Sequence, residues 1–279
     1  MLYLILAIVS SALVSVFMRL SEGKVKGNIA MLVSNYLMCT LIAGMECGFR
    51  DLVDPSNPLL AITTAMGAVN GLFYLGGFLL FQMNIRRNGV VLSSTFMKLG
   101  LLVTLAISVC VYGEVPSVLQ TLGFAVAVAA IVMINYRPGQ GKAGSKLWLI
   151  WMLLVGGMAD GMSKIFEESG VPGMGSQFMF FTFGTALVFC ILRMVVKGQK
   201  LGKWEILYGL LVGVPNFYSS RLLLRALENV PAVIAYPVYS VGCILVVTVT
   251  GVLLFRERLE KKQWVALGLI LAALVLLNV

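Results

Sequence analysis

Long apolar stretches separated by short polar loops fill almost the whole chain. Each stretch is close to the roughly 20 residues that an α-helix needs to cross a bilayer. The period-of-two alternation of membrane β-strands is absent. The pattern predicts an all-α membrane protein with ten transmembrane helices, at about residues 1–19, 28–47, 59–82, 89–112, 117–136, 147–165, 175–196, 205–224, 231–254 and 264–279.

The second half of the chain repeats the first at an offset of about 143 residues. Gln120 falls opposite Gln263, and Ala129-Ala130 opposite Ala272-Ala273. We therefore predict a first five-helix repeat over 1–136, a linker over 137–146 and a second repeat over 147–279. Because five is odd, the second repeat must be inverted relative to the first, an arrangement typical of transporters.

Composition and charge agree with a membrane protein and indicate its orientation. The hydrophobic share is 59% and the charged share 12%, against about 25% charged residues in soluble domains. The net charge of +9 does not indicate nucleic-acid binding, because the lysines and arginines are spread among short loops. Most follow the first, third, fifth, seventh and ninth spans, so the positive-inside rule predicts both termini outside the cytoplasm.

The sequence offers little material for catalysis. There is no histidine, the commonest metal ligand and general base. The five cysteines are scattered and form no CxxC pair, and no nucleotide-phosphate loop is present. We expect no enzyme activity, no cofactor and no metal site.

Three short stretches near the end of the second half resemble a known family. Residues 231–240 (PAVIAYPVYS), then Arg256-Glu257-Arg258-Leu259 and Gln263-Trp264, resemble the EamA branch of the drug/metabolite transporter superfamily. The first half holds a weaker copy, with Gly113-Glu114 at the turn and Ser93-Ser94 in place of the proline, so Ser94 joins the candidate substrate contacts. The resemblance implies a multi-pass protein of the bacterial inner membrane. It also implies a central cavity lined by the first, third, fourth, sixth, eighth and ninth spans.

Three charged residues inside spans are the strongest candidates for substrate binding, because a charge in a membrane costs at least about 2.5–3.5 kcal/mol. Lys98 lies roughly 14 Å into the fourth span, near the midplane, where it either meets an anionic substrate group or forms a structural ion pair. Asp160 could pair with Lys98 or Arg221, or with Lys164 one turn on. Arg221 either reaches the cavity or extends to the interface. Asp160 is also the proton-coupling candidate.

Uncharged candidates lie on the third, eighth and ninth spans. Pro215 interrupts the eighth span, and Asn216 could bond the freed carbonyl or a ligand. Aromatic side chains could line a cavity or simply pack: Phe73, Tyr74, Phe217, Tyr218, Tyr236 and Tyr239. Glu114 and Glu257 precede the last helix of each repeat, where a carboxylate can accept from free backbone N–H groups of that helix.

The preferred interpretation is a secondary active transporter that works by alternating access. Its substrate would be a small polar metabolite with a carboxylate or other anionic group, such as an amino acid, with proton coupling as a hypothesis. The alternatives are a flippase for a lipid-linked substrate and an exporter of amphipathic or cationic compounds. Expected partners are the substrate and membrane lipids but no nucleic acid, with the chain a monomer or homodimer.

Overall fold

The described part of the chain is helical throughout. The structure is a computed structural model, and it describes residues 1–21, 23–48, 52, 58–88, 96–97, 99–135, 146–255 and 261–277. Over these residues it has ten helices: α1 Leu2–Ser21, α2 Asn28–Cys47, α3 Pro58–Asn88, α4 Leu101–Cys110, α5 Val118–Asn135, α6 Lys146–Ser169, α7 Gly175–Val196, α8 Lys203–Leu227, α9 Ala232–Phe255 and α10 Lys261–Leu277.

The predicted fold class, an all-α multi-span membrane protein, is confirmed. Among the described residues, six helices are long and apolar enough to cross a membrane, and α4 and part of α5 are shorter apolar helices. The ranges predicted for α2 and α7 coincide with those observed. Hydropathy predicts that the third span ends at residue 82, where the apolar run stops. The helix itself continues through the polar residues that follow, so α3 ends at Asn88. Of the linker predicted over 137–146, residues 137–145 lie outside the described residues and Lys146 begins α6.

The helices group into two compact units, neither of which equals a half of the sequence. Unit I contains residues 2–75 and 165–225, and unit II contains Met1 with residues 76–164 and 226–279. Each unit therefore takes helices from both sequence halves. The division at 136 and 147 stays a prediction about the repeat.

Glycines bring the helices of unit I together. A Cβ on Gly67 of α3 would lie 2.7 Å from Cβ of Phe181 on α7. A Cβ on Gly213 of α8 would lie 2.6 Å from Cβ of Met38 on α2. The third helix of each sequence half thus packs on the second helix of the other, and α2 also packs on α7. This exchange is the pattern that a two-fold relation between the halves predicts.

Repeat-equivalent alanines form the core of unit II. Ala130 of α5 and Ala273 of α10 are both fully buried, and they pack with Leu101, Ala127 and Val241. Small side chains let the two helix backbones approach closely. The Ala-Ala pairs that identify the repeat in the sequence therefore lie where its last helices meet.

Candidate functional site

An aromatic cluster joins four helices of unit I. The ring of Phe183 on α7 is fully buried, and its centroid is 6.2 Å from Tyr36, 5.8 Å from Tyr74 and 6.2 Å from Phe217. These four residues, here called the Phe183 cluster, come from α2, α3, α7 and α8. Two of the predicted contacts, Tyr74 and Phe217, are thereby brought together.

Hydrogen-bonding side chains surround the Phe183 cluster. The hydroxyls of Tyr74 and Ser220 lie 3.1 Å apart. The amide of Asn216 donates to Oδ1 of Asn35 at 3.2 Å, so its observed partner is a second amide. The thiol of Cys39 donates to the Gly213 carbonyl at 3.3 Å. Polar groups from α2, α3 and α8 thus lie within an otherwise apolar helix bundle.

Asn70 adds an unsatisfied acceptor to this region. Its side chain is fully buried, and Nδ2 donates to Thr182 Oγ1 at 3.5 Å. Oδ1 has no hydrogen-bond partner among the described residues. A buried acceptor left unpaired costs about 1–3 kcal/mol, so Oδ1 has hydrogen-bonding capacity that the described residues do not use. Asn70 lies one turn before Tyr74, on the same face of α3.

Sequence reasoning missed Asn70, Asn35 and Phe183. The signal for the two asparagines was present, since an amide inside an apolar span needs a partner. Phe183 gave no signal, because an aromatic residue in such a span is usually a packing residue. Phe73 is half-buried, and Tyr218 is 39% exposed.

The guanidinium of Arg221 lies against Glu46. Its Nε donates to Glu46 Oε2 at 3.1 Å, and Arg221 is only 9% exposed. The Ser176 hydroxyl donates to the same carboxylate oxygen, also at 3.1 Å. Arg221 is therefore charge-balanced by an acid in the last turn of α2.

Asp160 and Tyr236 lie together in unit II. The Tyr236 hydroxyl donates to the backbone carbonyl of Asp160 at 2.6 Å, and Tyr236 is almost fully buried. This bond joins α9 to α6, beside Gly157, whose carbonyl accepts from Thr104 at 3.3 Å. Asp160 and Tyr239 are half-buried. Lys98 and Ser94, the two candidates of the fourth span, lie outside the described residues.

Lys164, the alternative partner considered for Asp160, forms an ion pair with Glu114. Their Nζ and Oε1 atoms are 2.6 Å apart, and Lys164 is 1% exposed. Glu114 Oε2 also accepts from the backbone N–H of Val233 at 3.0 Å. Glu114 therefore caps the start of α9, and the expectation that it caps the next helix along the chain was wrong, because the fold brings a different helix end to it. Glu257 lies outside the described residues.

The sequence model of the EamA-like transporter family matches residues 1–136 and 146–279. The chain belongs to the EamA-like transporter family. This confirms the resemblance drawn from residues 231–240, 256–259 and 263–264. It also establishes the chain as an integral multi-pass membrane transporter.

Relatives and a solved structure agree with this assignment. An uncharacterized protein of Haemophilus influenzae is 23% identical over 97% of this chain and 95% of its own length. An uncharacterized inner membrane transporter of Escherichia coli, YedA, is 26% identical over 57% of this chain and 53% of its own length. A crystal structure superposes with a TM-score of 0.75 at 14% identity, over 99% of this chain and 98% of the other. At this low identity, the likeness is evidence for the fold of this chain and for nothing about its substrate.

Proposed function

We propose that this EamA-family protein is a secondary active transporter, working by alternating access, for a small polar metabolite with a carboxylate, such as an amino acid. The supporting observation is the unpaired amide oxygen of Asn70 beside the Phe183 cluster. A substrate ammonium would bond this oxygen and lie against aromatic rings, which attract cations. Lys98, near the midplane by its position in the sequence, is the candidate that the sequence alone offers for the carboxylate. The name of YedA supports the bacterial inner membrane as the location.

Ligand-induced stabilisation of the purified protein tests the substrate class. A ligand that binds only the native state stabilises it by about 2.7 kcal/mol at a hundredfold excess over its Kd. We expect zwitterionic carboxylates to raise the unfolding temperature of the wild type. The gain should be lost in Lys98→Ala and in Asn70→Leu. Thr64→Ala is the control, since it changes another polar residue of α3 whose hydroxyl bonds only within the helix, to Leu60.

The same stabilisation experiment has an outcome that would contradict the proposed substrate class. Stabilisation by cations or lipids that both Lys98→Ala and Asn70→Leu retain would contradict an anionic or zwitterionic substrate. It would then favour the exporter or flippase interpretation.

Proton coupling is proposed through Asp160, a half-buried carboxyl group in α6. Uptake into proteoliposomes should follow an imposed pH gradient in the wild type. Asp160→Asn cannot take up or release a proton, so its uptake should no longer respond to the gradient while substrate binding persists. An Asn variant with unchanged pH dependence would rule out this role for Asp160.

A further inference from the structure

We propose that unit I carries a binding site for an anionic phospholipid, with one acyl chain in an apolar groove and the headgroup phosphate on two lysines. The groove has a volume of about 600 Å³, within the ~300–1,000 Å³ of small-molecule sites. Its walls come from α1 and α8, with Met38 of α2. The lining residues used below are Ser10, Phe17, Leu207, Leu211 and Tyr218.

Chemistry and position favour an acyl chain as the occupant of the groove. Its lining is almost entirely apolar, and α1 is long and apolar enough to cross a membrane. The α1 part runs from Leu6 to Phe17, about 16 Å at 1.5 Å per residue. That length is close to half of the ~30 Å hydrocarbon core, so one lipid leaflet matches it.

A pair of lysines on one indole marks the headgroup end. The ammonium of Lys24 lies 5.5 Å from the ring centroid of Trp204, and that of Lys203 lies 5.3 Å from it. Lys24 also donates to the Tyr208 hydroxyl at 2.7 Å. Each ammonium has three donors, so both lysines keep N–H groups for a phosphate. Trp and Tyr are the residues that settle at the level of lipid headgroups.

Helix periodicity joins this lysine pair to the groove. Leu207 follows Lys203 by four residues and Trp204 by three, so all three share one face of α8. Leu211 continues that face by one more turn. A lipid whose phosphate meets Lys203 therefore has its chain directed along the groove.

Glu205 is the acid nearest to this pair along α8, and its charge is already engaged. Its Oε1 accepts from the backbone N–H groups of Lys26 at 2.8 Å and Gly27 at 3.2 Å. In the sequence, Lys24, Lys26 and Lys203 outnumber the acids Glu22 and Glu205, so the local balance remains positive.

The headgroup, not the chain, should determine selectivity. Lipid tails are as apolar as leucine, so an acyl chain gains little by moving from bilayer to groove. A lysine near the membrane surface favours an anionic headgroup roughly fivefold. Two lysines then predict about a 30-fold preference for an anionic over a zwitterionic phospholipid.

Native mass spectrometry with equal amounts of phosphatidylglycerol and phosphatidylcholine, matched in their chains, tests the headgroup. We expect the wild type to retain phosphatidylglycerol about 30-fold over phosphatidylcholine. Lys203→Gln leaves the Lys24–Tyr208 bond intact and should lower the ratio about fivefold. The control Lys197→Gln/Lys200→Gln removes two exposed lysines of the preceding loop and should leave it unchanged. Equal retention by the wild type, or an equal loss in the control, would overturn the site.

Filling the groove tests the acyl chain separately. Ser10→Phe places a ring among the lining residues and should abolish retention of both lipids. Val188→Phe adds the same ring to an exposed position of α7 outside the groove and should not. Equal lipid retention by the two variants would overturn occupancy of the groove. Both experiments measure binding, so their failure would leave the transport proposal intact.

Discussion

Two cations in apolar helices are stabilised by carboxylates distant in the sequence. Lys164 bonds Glu114 and Arg221 bonds Glu46. An unpaired charge in a membrane span costs several kcal/mol, and each carboxylate lowers that cost. The two acids lie at a loop and at a helix end, where they also accept from Val233 N–H and from the Ser176 hydroxyl. Removing either acid leaves its cation without this counter-charge.

The Glu114–Lys164 pair provides the sharper test, because Lys164 is almost fully buried. Glu114→Gln should lower the free energy of unfolding by about 3–5 kcal/mol, the typical cost of removing one member of a buried pair. Thermal unfolding in detergent measures the change. Adding Lys164→Met to Glu114→Gln removes the cation as well as the acid and should recover most of the loss. A double variant as unstable as Glu114→Gln alone would contradict the electrostatic explanation.

The same carboxyl group should give stability a pH dependence in acid. Burial raises the pKa of Glu114, but hydrogen bonds from Lys164 and from the N–H groups of Val233 and Ala232 outweigh it and leave the pKa below its ordinary value. A lowered folded-state pKa means that the ionised form stabilises the protein above the ordinary pKa. This stabilisation is lost as the pH falls through the lowered value.

Unfolding temperatures between pH 7 and pH 3 measure this dependence. The difference between the wild type and Glu114→Gln should be constant near neutral pH and should shrink in acid. A difference that stays constant throughout would show that Glu114 does not titrate in this range.

At the scale of helices, close approach through glycine holds α3 against α7. A Cβ on Gly71 would lie 2.8 Å from Cβ of Thr185 and would also meet the backbone carbonyl of Thr182. Backbone atoms cannot rotate away, so Gly71→Ala should destabilise by about 1–3 kcal/mol through overpacking. That cost exceeds the roughly 0.5–1 kcal/mol that alanine gains over glycine in a helix.

Gly184→Ala on α7 is the matched control, because its Cβ would meet only Thr40 Cγ2 at an ordinary 3.8 Å. It should be neutral or slightly stabilising, since the helix gain then acts alone. Thermal unfolding of the two variants shows whether each substitution lowers or raises the stability of the protein. Equal effects would mean that the α3–α7 contact is looser than the structure shows.

For the whole molecule, the helices were predictable but their side-chain partners were not. The hydrocarbon core of a membrane admits only segments whose backbone hydrogen bonds are satisfied internally. Hydropathy therefore predicts the first and last residues of α2 and α7 correctly. The pairing of Glu46 with Arg221 spans 175 positions, and no local pattern encodes it. Glu114 shows the same limit, since its chemistry as a helix cap was predictable whereas the capped helix was not. The sequence shows that Asn70 and Asn35 are amides in apolar spans. Only the structure shows that Asn35 bonds Asn216 and that Oδ1 of Asn70 has no partner among the described residues.

Membrane orientation is a property of the whole chain, and the loop charges predict it. The positive-inside rule places the loop after α7 in the cytoplasm and the loop after α6 outside. Single cysteines at Lys200 and Pro172, both exposed positions in these two loops, report the side. Cys110 is the exposed native cysteine, and the other four are buried. The Cys110→Ser variant therefore has little labelling from native cysteines and is the parent for both single-cysteine variants.

In intact cells, a membrane-impermeant maleimide should label Pro172→Cys and not Lys200→Cys. Lys200→Cys should react only after the membrane is permeabilised, which also serves as the control for thiol reactivity. The physical reason is the bias of short basic loops, including Lys197, Lys200 and Lys203, toward the cytoplasmic side during insertion. The reverse labelling would contradict the predicted orientation. Equal labelling at both positions would mean that the loop charges do not impose one orientation on the molecule.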